Sequence, residues 1–464
     1  MDRAAIVVDL GFGDAGKGLV TDYLVRALGA RLVVRYHGGA QAGHNVVTTD
    51  GRHHTFAQLG AGSFVPGVAS YLGRGVVVHP TALRVEAAHL ASVGVPDALE
   101  RLHVSEQALI ITPFQQAAGR LRELGRGARR HGSCGVGVGE AVRDALADAR
   151  EALRAGHLRD ARSLRPALLR LQARKREELR AELSTLAGWE PAEAERAILE
   201  DTGVVDRWLD AVEPLVERAA IVDEAWLGAE LAAPGAVVLE GAQGVLLDEW
   251  AGFHPHTTWS TCTFEPALAL LREHTFAGET ARIGVLRTYA VRHGAGPLPT
   301  EDAGLDALLP EHHNSDGPWQ GRVRRGWPDM VLARYALEAS GGADALALTH
   351  LDALGRVPAW RICTAYEVPQ VEPALFYFAP DDTETKRCAR MRAPRARDLE
   401  RQAALGIALG MVMPVYEAVP WGGRAAGGEL AVSSFEEHLG VPVRLVSAGP
   451  SADHVNAREP LFAD

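Results

Sequence analysis

Residues 9–25 read DLGFGDAGKGLVTDYLV. Four glycines (Gly11, Gly13, Gly16, Gly18) surround Asp14 and Lys17, after which apolar positions recur at helical spacing. RAAIVVDL (3–10) precedes the loop as a short β-branched strand, and Gly29 supplies a residue on which a helix stops. Strand, glycine loop and helix in that order make a phosphate cradle, because loop N–H groups and the positive helix end face the same anion. The loop is not a Walker loop: that motif needs Ser or Thr after the lysine, and Gly18 follows Lys17. Asp14 puts a carboxylate where a triphosphate brings negative charge, so the acid needs a chemical task of its own.

RLVVRY (31–36) reads as the next strand and feeds a second loop, HGGAQAGHNVV (37–47). Further buried-strand candidates are GVVVHP (75–80), ALIITP (108–113), AVVLEG (236–241), IGVLRTYAV (283–291), ALALTHL (345–351) and PVRLVSAG (442–449). Strands separated by helical segments predict an α/β fold with a mostly parallel central sheet flanked by helices and sites at the strand ends. From about 140 to 235 the texture changes. Leu164, Leu168 and Leu171, then Leu179, Leu183 and Leu186, step by four and three with Arg and Glu between them, which predicts a helical elaboration with a solvated charged face. No Ser/Gly-rich linker flanks it, so residues 1–464 are expected to form a single domain.

The composition is that of an ordinary globular chain, 47% hydrophobic and 23% charged, and the formal net charge of −11 argues against non-specific binding to nucleic acid or to an anionic membrane. No run approaches the roughly 18–20 apolar residues that span a bilayer, and no signal peptide is visible. Cys134, Cys262, Cys363 and Cys388 are scattered without a C-x-x-C pair, so reduced thiols in a cytoplasmic protein are expected rather than disulfides or zinc.

Five stretches carry residues that bind anions or move protons. They are GFGDAGKG (11–18), GGAQAGHN (38–45), HGSCGVGVGE (131–140), EGAQGVLLD (240–248) and GRVRRGW (321–327). His44 is a candidate proton or hydrogen-bond donor to a developing phosphate charge. Gln243 leaves a strand end between glycines, where its amide can read a base edge. Arg322 and Arg324 suit carboxylate or phosphate. Taken one at a time, a glycine turn or a solvated charge run explains each of the last three stretches as well; their joint occurrence does not fit coincidence.

In this order the stretches resemble the adenylosuccinate synthetase family. Members open with a strand into G-D-E-G-K-G, then G-G-x-N-A-G-H-T, a T-T-G-R-G-I-G loop, E-G-A-Q-G-x-L-L-D, R-x-G-x-G-P-x-P-T-E, a T-T-G-R-x-R-R loop, T-K-L-D and a terminal S-x-G-P. This chain has GDAGKG, GGAQAGHN, GSCGVGVG, EGAQGVLLD, RHGAGPLPTE, WQGRVRRGW, THLD and SAGP, spread over its whole length. The resemblance implies a P-loop NTPase-related fold and a cytoplasmic homodimer. It implies a ligase that uses GTP and Mg²⁺ to join IMP and L-aspartate, releasing GDP and phosphate, through a 6-phosphoryl-purine intermediate.

By matched position, Asp14 would take the purine N1 proton so that the 6-oxygen attacks the γ-phosphorus, and would bind Mg²⁺ with the Gly43 carbonyl. His44 would donate at the β/γ oxygen, with Lys17 and Gln243 completing the catalytic set. GTP would lie against Gly13, Asp14, Ala15, Gly16, Lys17, Gly18, Leu19, Gly43, His44, Asn45 and Arg324. Its guanine would meet His350, Leu351 and Asp352 on one side and Ser447, Ala448 and Gly449 on the other. The acceptor would touch Asp14, Lys17, Gln41, His44, Cys134, Gln243, Thr258 and Arg322, with Arg154 reaching its phosphate across a dimer interface. Trp319, Gln320, Gly321, Arg322 and Arg324 would hold the amine.

The chain also departs from the family pattern. Ala15 stands for Glu after the loop aspartate, Ala40-Gln41 and Asn45 flank A-G-H, and Ser133-Cys134 replace two threonines. Val136 replaces arginine, Trp319-Gln320 replace two threonines, and His350 replaces lysine. A thiol is a poor donor, so Cys134 weakens a phosphate contact. The changes gather in the acceptor and amine pockets, which leaves open a paralogue using another purine nucleotide such as dGMP, or another amine. Related phage enzymes that use dGMP typically lack the loop aspartate, and Asp14 argues against that variant. A non-catalytic GTP-binding protein or a plain GTPase would have no use for the Asp14/His44 pair together with Gln243.

Overall fold

Strand β1 (Arg3–Asp9) is buried from Ala4 onward, with Ile6, Val7 and Val8 at 1% exposure or less. Side chains buried to this degree contribute about 1.5–3 kcal/mol each and appear on both faces, as expected of a strand central to a parallel sheet. Helix α1 (Lys17–Leu28) starts from Gly16 in the left-handed conformation and stops on Gly29, also left-handed, as the sequence predicts. Strand β2 (Leu32–Gly39) follows. The structure, a computed structural model, describes residues 2–462 apart from 312–313, 315, 318, 371, 379–385, 395–396 and 420–423.

Among the described residues the main sheet has eleven strands. Across it run Val455–Ala457, Val443–Ser447, Ala345–Thr349, Glu279–Arg287, β1, Ala236–Glu240, β2, Ala69–Val78, Leu102–Ser105 and Ala220–Val222, with Leu109–Ile110 alongside Ala69–Val78. Every pairing is parallel except that of Val455–Ala457 with its neighbour. The sheet is therefore mixed, and the carboxyl ends of its parallel strands, among them Asp9, Gly39, Glu240, Arg287, Thr349 and Ser447, share one edge. A second, antiparallel pair joins Trp360–Glu367 to Met413–Val419.

Two strand expectations and one helical one change in detail. ALIITP yields only Leu109–Ile110, because Thr112 and Pro113 open the helix Pro113–Arg126, capped by Thr112 and Gln115. IGVLRTYAV breaks after Arg287, where Thr288 N–H turns to the Thr349 carbonyl, and resumes as Ala290–His293. The segment 140–235 is helical as expected, through Val138–Ala147, Ala161–Glu178, Arg180–Thr185, Glu190–Glu200, Gly203–Arg218 and Glu224–Ala232, but Ala220–Val222 within it joins the sheet edge. Leu164, Leu168, Leu171, Leu179 and Leu186 are buried against Leu121, Leu124, Trp208 and Leu215, while Leu183 is half-buried. No helix among the described residues is long and apolar enough to cross a membrane.

Candidate active site

The 9–18 loop is organised by Asp9, the last residue of β1. Its carboxylate accepts from the N–H groups of Gly11 (2.8 Å), Gly13 (3.2 Å) and Ala15 (2.7 Å). Lys17 Nζ lies 3.3 Å from Asp9 and donates to the Gly13 carbonyl at 2.7 Å. The lysine is thus buried and folded back on its own loop, beside the exposed-end amides of the first turn of α1. The loop seats directly on its neighbours: a Cβ on Gly244 would fall 2.3 Å from the Gly11 carbonyl, and one on Gly18 would fall 2.8 Å from the Asn45 carbonyl. Only glycine allows backbone to approach backbone this closely.

Asp14 stands at the crest of the loop. Arg287 fixes its main-chain carbonyl at 2.8 Å, and His293 Nε2 lies 3.3 Å from its carboxylate. Burial raises the Asp14 pKa above the ordinary carboxylate value, and His293, Arg287 and Lys17 offset only part of that rise. A carboxylate with raised proton affinity is better suited to accept a proton near neutrality.

His44 begins the hairpin formed by His44–Val47 and His53–Phe56. Its Nδ1 is 2.5 Å from Glu240 Oε1, and its Nε2 is buried without a partner. Burial pushes His44 down to about 4 despite the opposing pull of Glu240. For Glu240, burial acts upward, but Arg35, His44 and the Ala61 N–H outweigh it and the net shift is downward. The pair is therefore an ionised carboxylate accepting from Nδ1–H of a neutral imidazole, with Nε2 turned to whatever ligand arrives.

Gln243 adopts a left-handed backbone (φ 51°), and both polar atoms of its amide are buried without partners. Gln41 Oε1 is likewise unpartnered. Buried amides are normally satisfied, so these point to a ligand's polar edge.

A cleft of about 940 Å³ brings Gly13, Asp14, Gln41, Gly43, His44, Cys134, Gln243, Thr258 and Gln320 together. On the other side of the 9–18 loop, the ends of Ala345–Thr349 and Val443–Ser447 are adjacent, which places His350, Leu351 and Asp352 beside Ser447, Ala448 and Gly449. Thr349 Oγ1 donates to the Ala15 carbonyl at 2.7 Å and ties this second site to the loop. His350 is half-buried, with its pKa held low by desolvation and by Arg287, and Asp352 lies 3.9 Å from Arg356.

Other expected residues do not line the cleft. Arg322 and Arg324 pair with Glu301, at 3.1 and 2.7 Å. Trp319 packs its ring over Gly135 and under the Arg120 guanidinium. Gly321 sits in the turn beside it, hydrogen-bonded to Gly317. Arg154 lies elsewhere, donating to the Gln107 carbonyl at 2.6 Å. Val136, in contrast, does line the cleft, where it packs beside an apolar cluster of Val77, Ile111, Val138 and Ala141.

Sequence reasoning passed over Asp9, Glu240, Arg287 and His293. Asp9 and Glu240 each carried a signal: a carboxylate closing a run of buried β-branched or aliphatic residues, where burial demands partners. Among the described residues no three His, Cys, Asp or Glu side chains cluster as a metal cage.

The sequence model of the adenylosuccinate synthetase family matches residues 6–393. The adenylosuccinate synthetase of Chlorobium chlorochromatii is 32% identical over 97% of this chain and 96% of its own. That of Edwardsiella ictaluri is 31% identical over the full length of both. Among solved structures, the fully ligated adenylosuccinate synthetase of Plasmodium falciparum superposes with a TM-score of 0.76 at 21% identity, covering 98% of this chain and 99% of that one. The succinoaminodeoxyadenylate synthetase of cyanophage S-2L, bound to dGMP and dATP, gives 0.59 at 17% identity, covering 99% and 97%. The two structures share the α/β fold of this chain.

Proposed function

The chain belongs to the adenylosuccinate synthetase family, and on that premise we propose that it is a GTP-dependent ligase joining IMP to L-aspartate through a 6-phosphoryl intermediate. The observation that carries this reading is the meeting of Asp14, His44 and Gln243 in one cleft, with Glu240 behind the histidine. Gln243 would satisfy its amide on the purine edge and hold the base against Asp14. Asp14 would remove the N1 proton, moving electron density to the 6-oxygen for in-line attack on the γ-phosphorus. The incoming phosphate charge would favour the imidazolium form of His44, which Glu240 compensates, so that Nε2–H donates as GDP departs. Lys17 would exchange the Gly13 carbonyl for a phosphate oxygen.

The residues also fit a magnesium ion. Mg²⁺ is commonly held by one or two carboxylates, waters and substrate phosphates, which suits Asp14 with the Gly43 carbonyl better than an all-protein cage. Bound there, the ion would neutralise charge on the transferring phosphoryl group. Guanine would be read by Asp352, with Ser447 and Gly449 closing around it. We further propose one domain over 1–464, a cytoplasmic homodimer, and Arg154 acting across its interface.

A second reading keeps this chemistry with a different acceptor or amine. It is favoured by the commitment of Arg322 and Arg324 to Glu301 and by Val136, an apolar residue of the cleft that stands where the family pattern has arginine. The deciding assay mixes the protein with GTP, Mg²⁺, IMP and aspartate and follows the ultraviolet shift of the N6-substituted purine together with GDP release. Release of GDP only with another acceptor or amine selects the second reading. No acceptor-dependent GDP release overturns both.

A further inference from the structure

We propose that His293 is a positioning residue for the Asp14 carboxylate, presented from the antiparallel strand pair that carries Arg324. This rests on the ligase reading above. The Asp14 main chain is fixed from the sheet, since Arg287 holds its carbonyl at 2.8 Å while pairing with Glu311 at 2.6 Å. A fixed backbone does not fix a carboxylate, which still turns about its two side-chain torsions. Lys17 is spent on Asp9 and the Gly13 carbonyl. Among the described residues, His293 is the one basic side chain within ion-pair distance of that carboxylate, with Nε2 3.3 Å from Oδ2. Both residues line the same cleft.

The origin of His293 matters as much as its distance. It ends the strand Ala290–His293, which pairs antiparallel with Val323–Gly326 in the register His293↔Val323 and Arg292↔Arg324. The next N–H, of Gly294, donates to the Arg322 carbonyl at 2.9 Å. The ring is therefore rigidly coupled to the loop expected to receive the amine. Contact with Oδ2 leaves Oδ1 for the acceptor's ring proton, and it makes the position of the base depend on the position of the amine loop. Catalytic hydrogen bonds in unliganded sites are commonly long and tighten when substrate closes the site, so 3.3 Å is a competent starting geometry.

The test compares His293→Val with His293→Gln, whose amide N–H reaches the region of Nε2. Misplacing a reacting group by an ångström costs about 100-fold, so the valine variant should lose about 10- to 100-fold in kcat. KM for GTP and acceptor should stay within about twofold, because a group acting only in the transition state leaves substrate binding alone. GTP affinity measured by calorimetry should be unchanged, and glutamine should recover most of the lost kcat. The inference is overturned if valine leaves kcat at the wild-type level, if KM rises with kcat unchanged, or if both variants lose activity and thermal stability together. A wild-type protein that releases no GDP with any purine acceptor instead overturns the ligase reading, and this inference with it.

Discussion

Two glycine-rich loops face the cleft, and both are wrapped on a buried carboxylate. In the 9–18 loop the acid is Asp9, part of the central sheet, and its cationic partner Lys17 belongs to the loop itself. In the 131–140 loop the acid is Glu123, on the helix Pro113–Arg126, which accepts from the N–H groups of Gly132 (3.1 Å) and Ser133 (3.4 Å) and pairs with Arg126. At its far end Glu140 is bound to Arg122, Arg143 and the fully buried Lys175 of the helix Ala161–Glu178. The first loop inherits its position from the sheet, the second from the helix Pro113–Arg126 at one end and from the helical elaboration at the other. The difference teaches where this chain varies more: Ser133, Cys134 and Val136 all fall on the loop whose anchor is peripheral, against Ala15 alone on the loop anchored by the sheet.

The comparison breaks most sharply at Asp14. Asp14→Asn should lower kcat by about 10³-fold, within the usual contribution of general acid–base catalysis. A loss below tenfold would remove the chemical role from the first loop. Lys175→Met should weaken the second loop alone. Removing one partner of a buried ion pair costs about 3–5 kcal/mol, read as a lower urea midpoint, and KM for the acceptor should rise while GTP affinity holds. If GTP affinity falls equally, the two loops are not separately anchored.

Glu240→Gln should reduce kcat by about 100-fold, the low end for a proton donor that has lost its orienting partner. The smallest effect concerns acid. His44 and His79 both lie at about 4, and His37 at about 3, below the free value of 6.5, each chiefly through burial. The unfolded chain therefore binds more protons below pH 6.5, so stability is full above that value and falls as pH drops toward 4. Urea midpoints from pH 7 to 4.5 should show this decline, with a shallower slope in His44→Gln.

Much of this was readable in the residues themselves. β1, α1 and β2 follow from a buried aliphatic run, a glycine start and a glycine stop, all local signals. The leucine face of residues 164–186 was legible for the same reason. What was not legible depends on distant partners: Ala220–Val222 is a strand only because Leu102–Ser105 offers it an edge, and IGVLRTYAV breaks because Thr288 bonds to Thr349. At the site, Asp14, His44 and Gln243 were marked by their glycine neighbours. His293 carried no such mark, since only the fold brings residue 293 to residue 14.

The way Asp9 holds its loop also sets the direction from which an anion can be met. With the amides of Gly11, Gly13 and Ala15 already committed inward, the N–H groups left for a phosphate are those of Phe12, Asp14 and Gly16 in the loop and those opening α1, at Lys17, Gly18 and Leu19. A phosphate would consequently be met by alternate amides of the loop together with the opening turn of that helix, at one fixed place. Lengthening the linkage between a nucleotide's last two phosphorus atoms should then be tolerated far less well than altering its sugar.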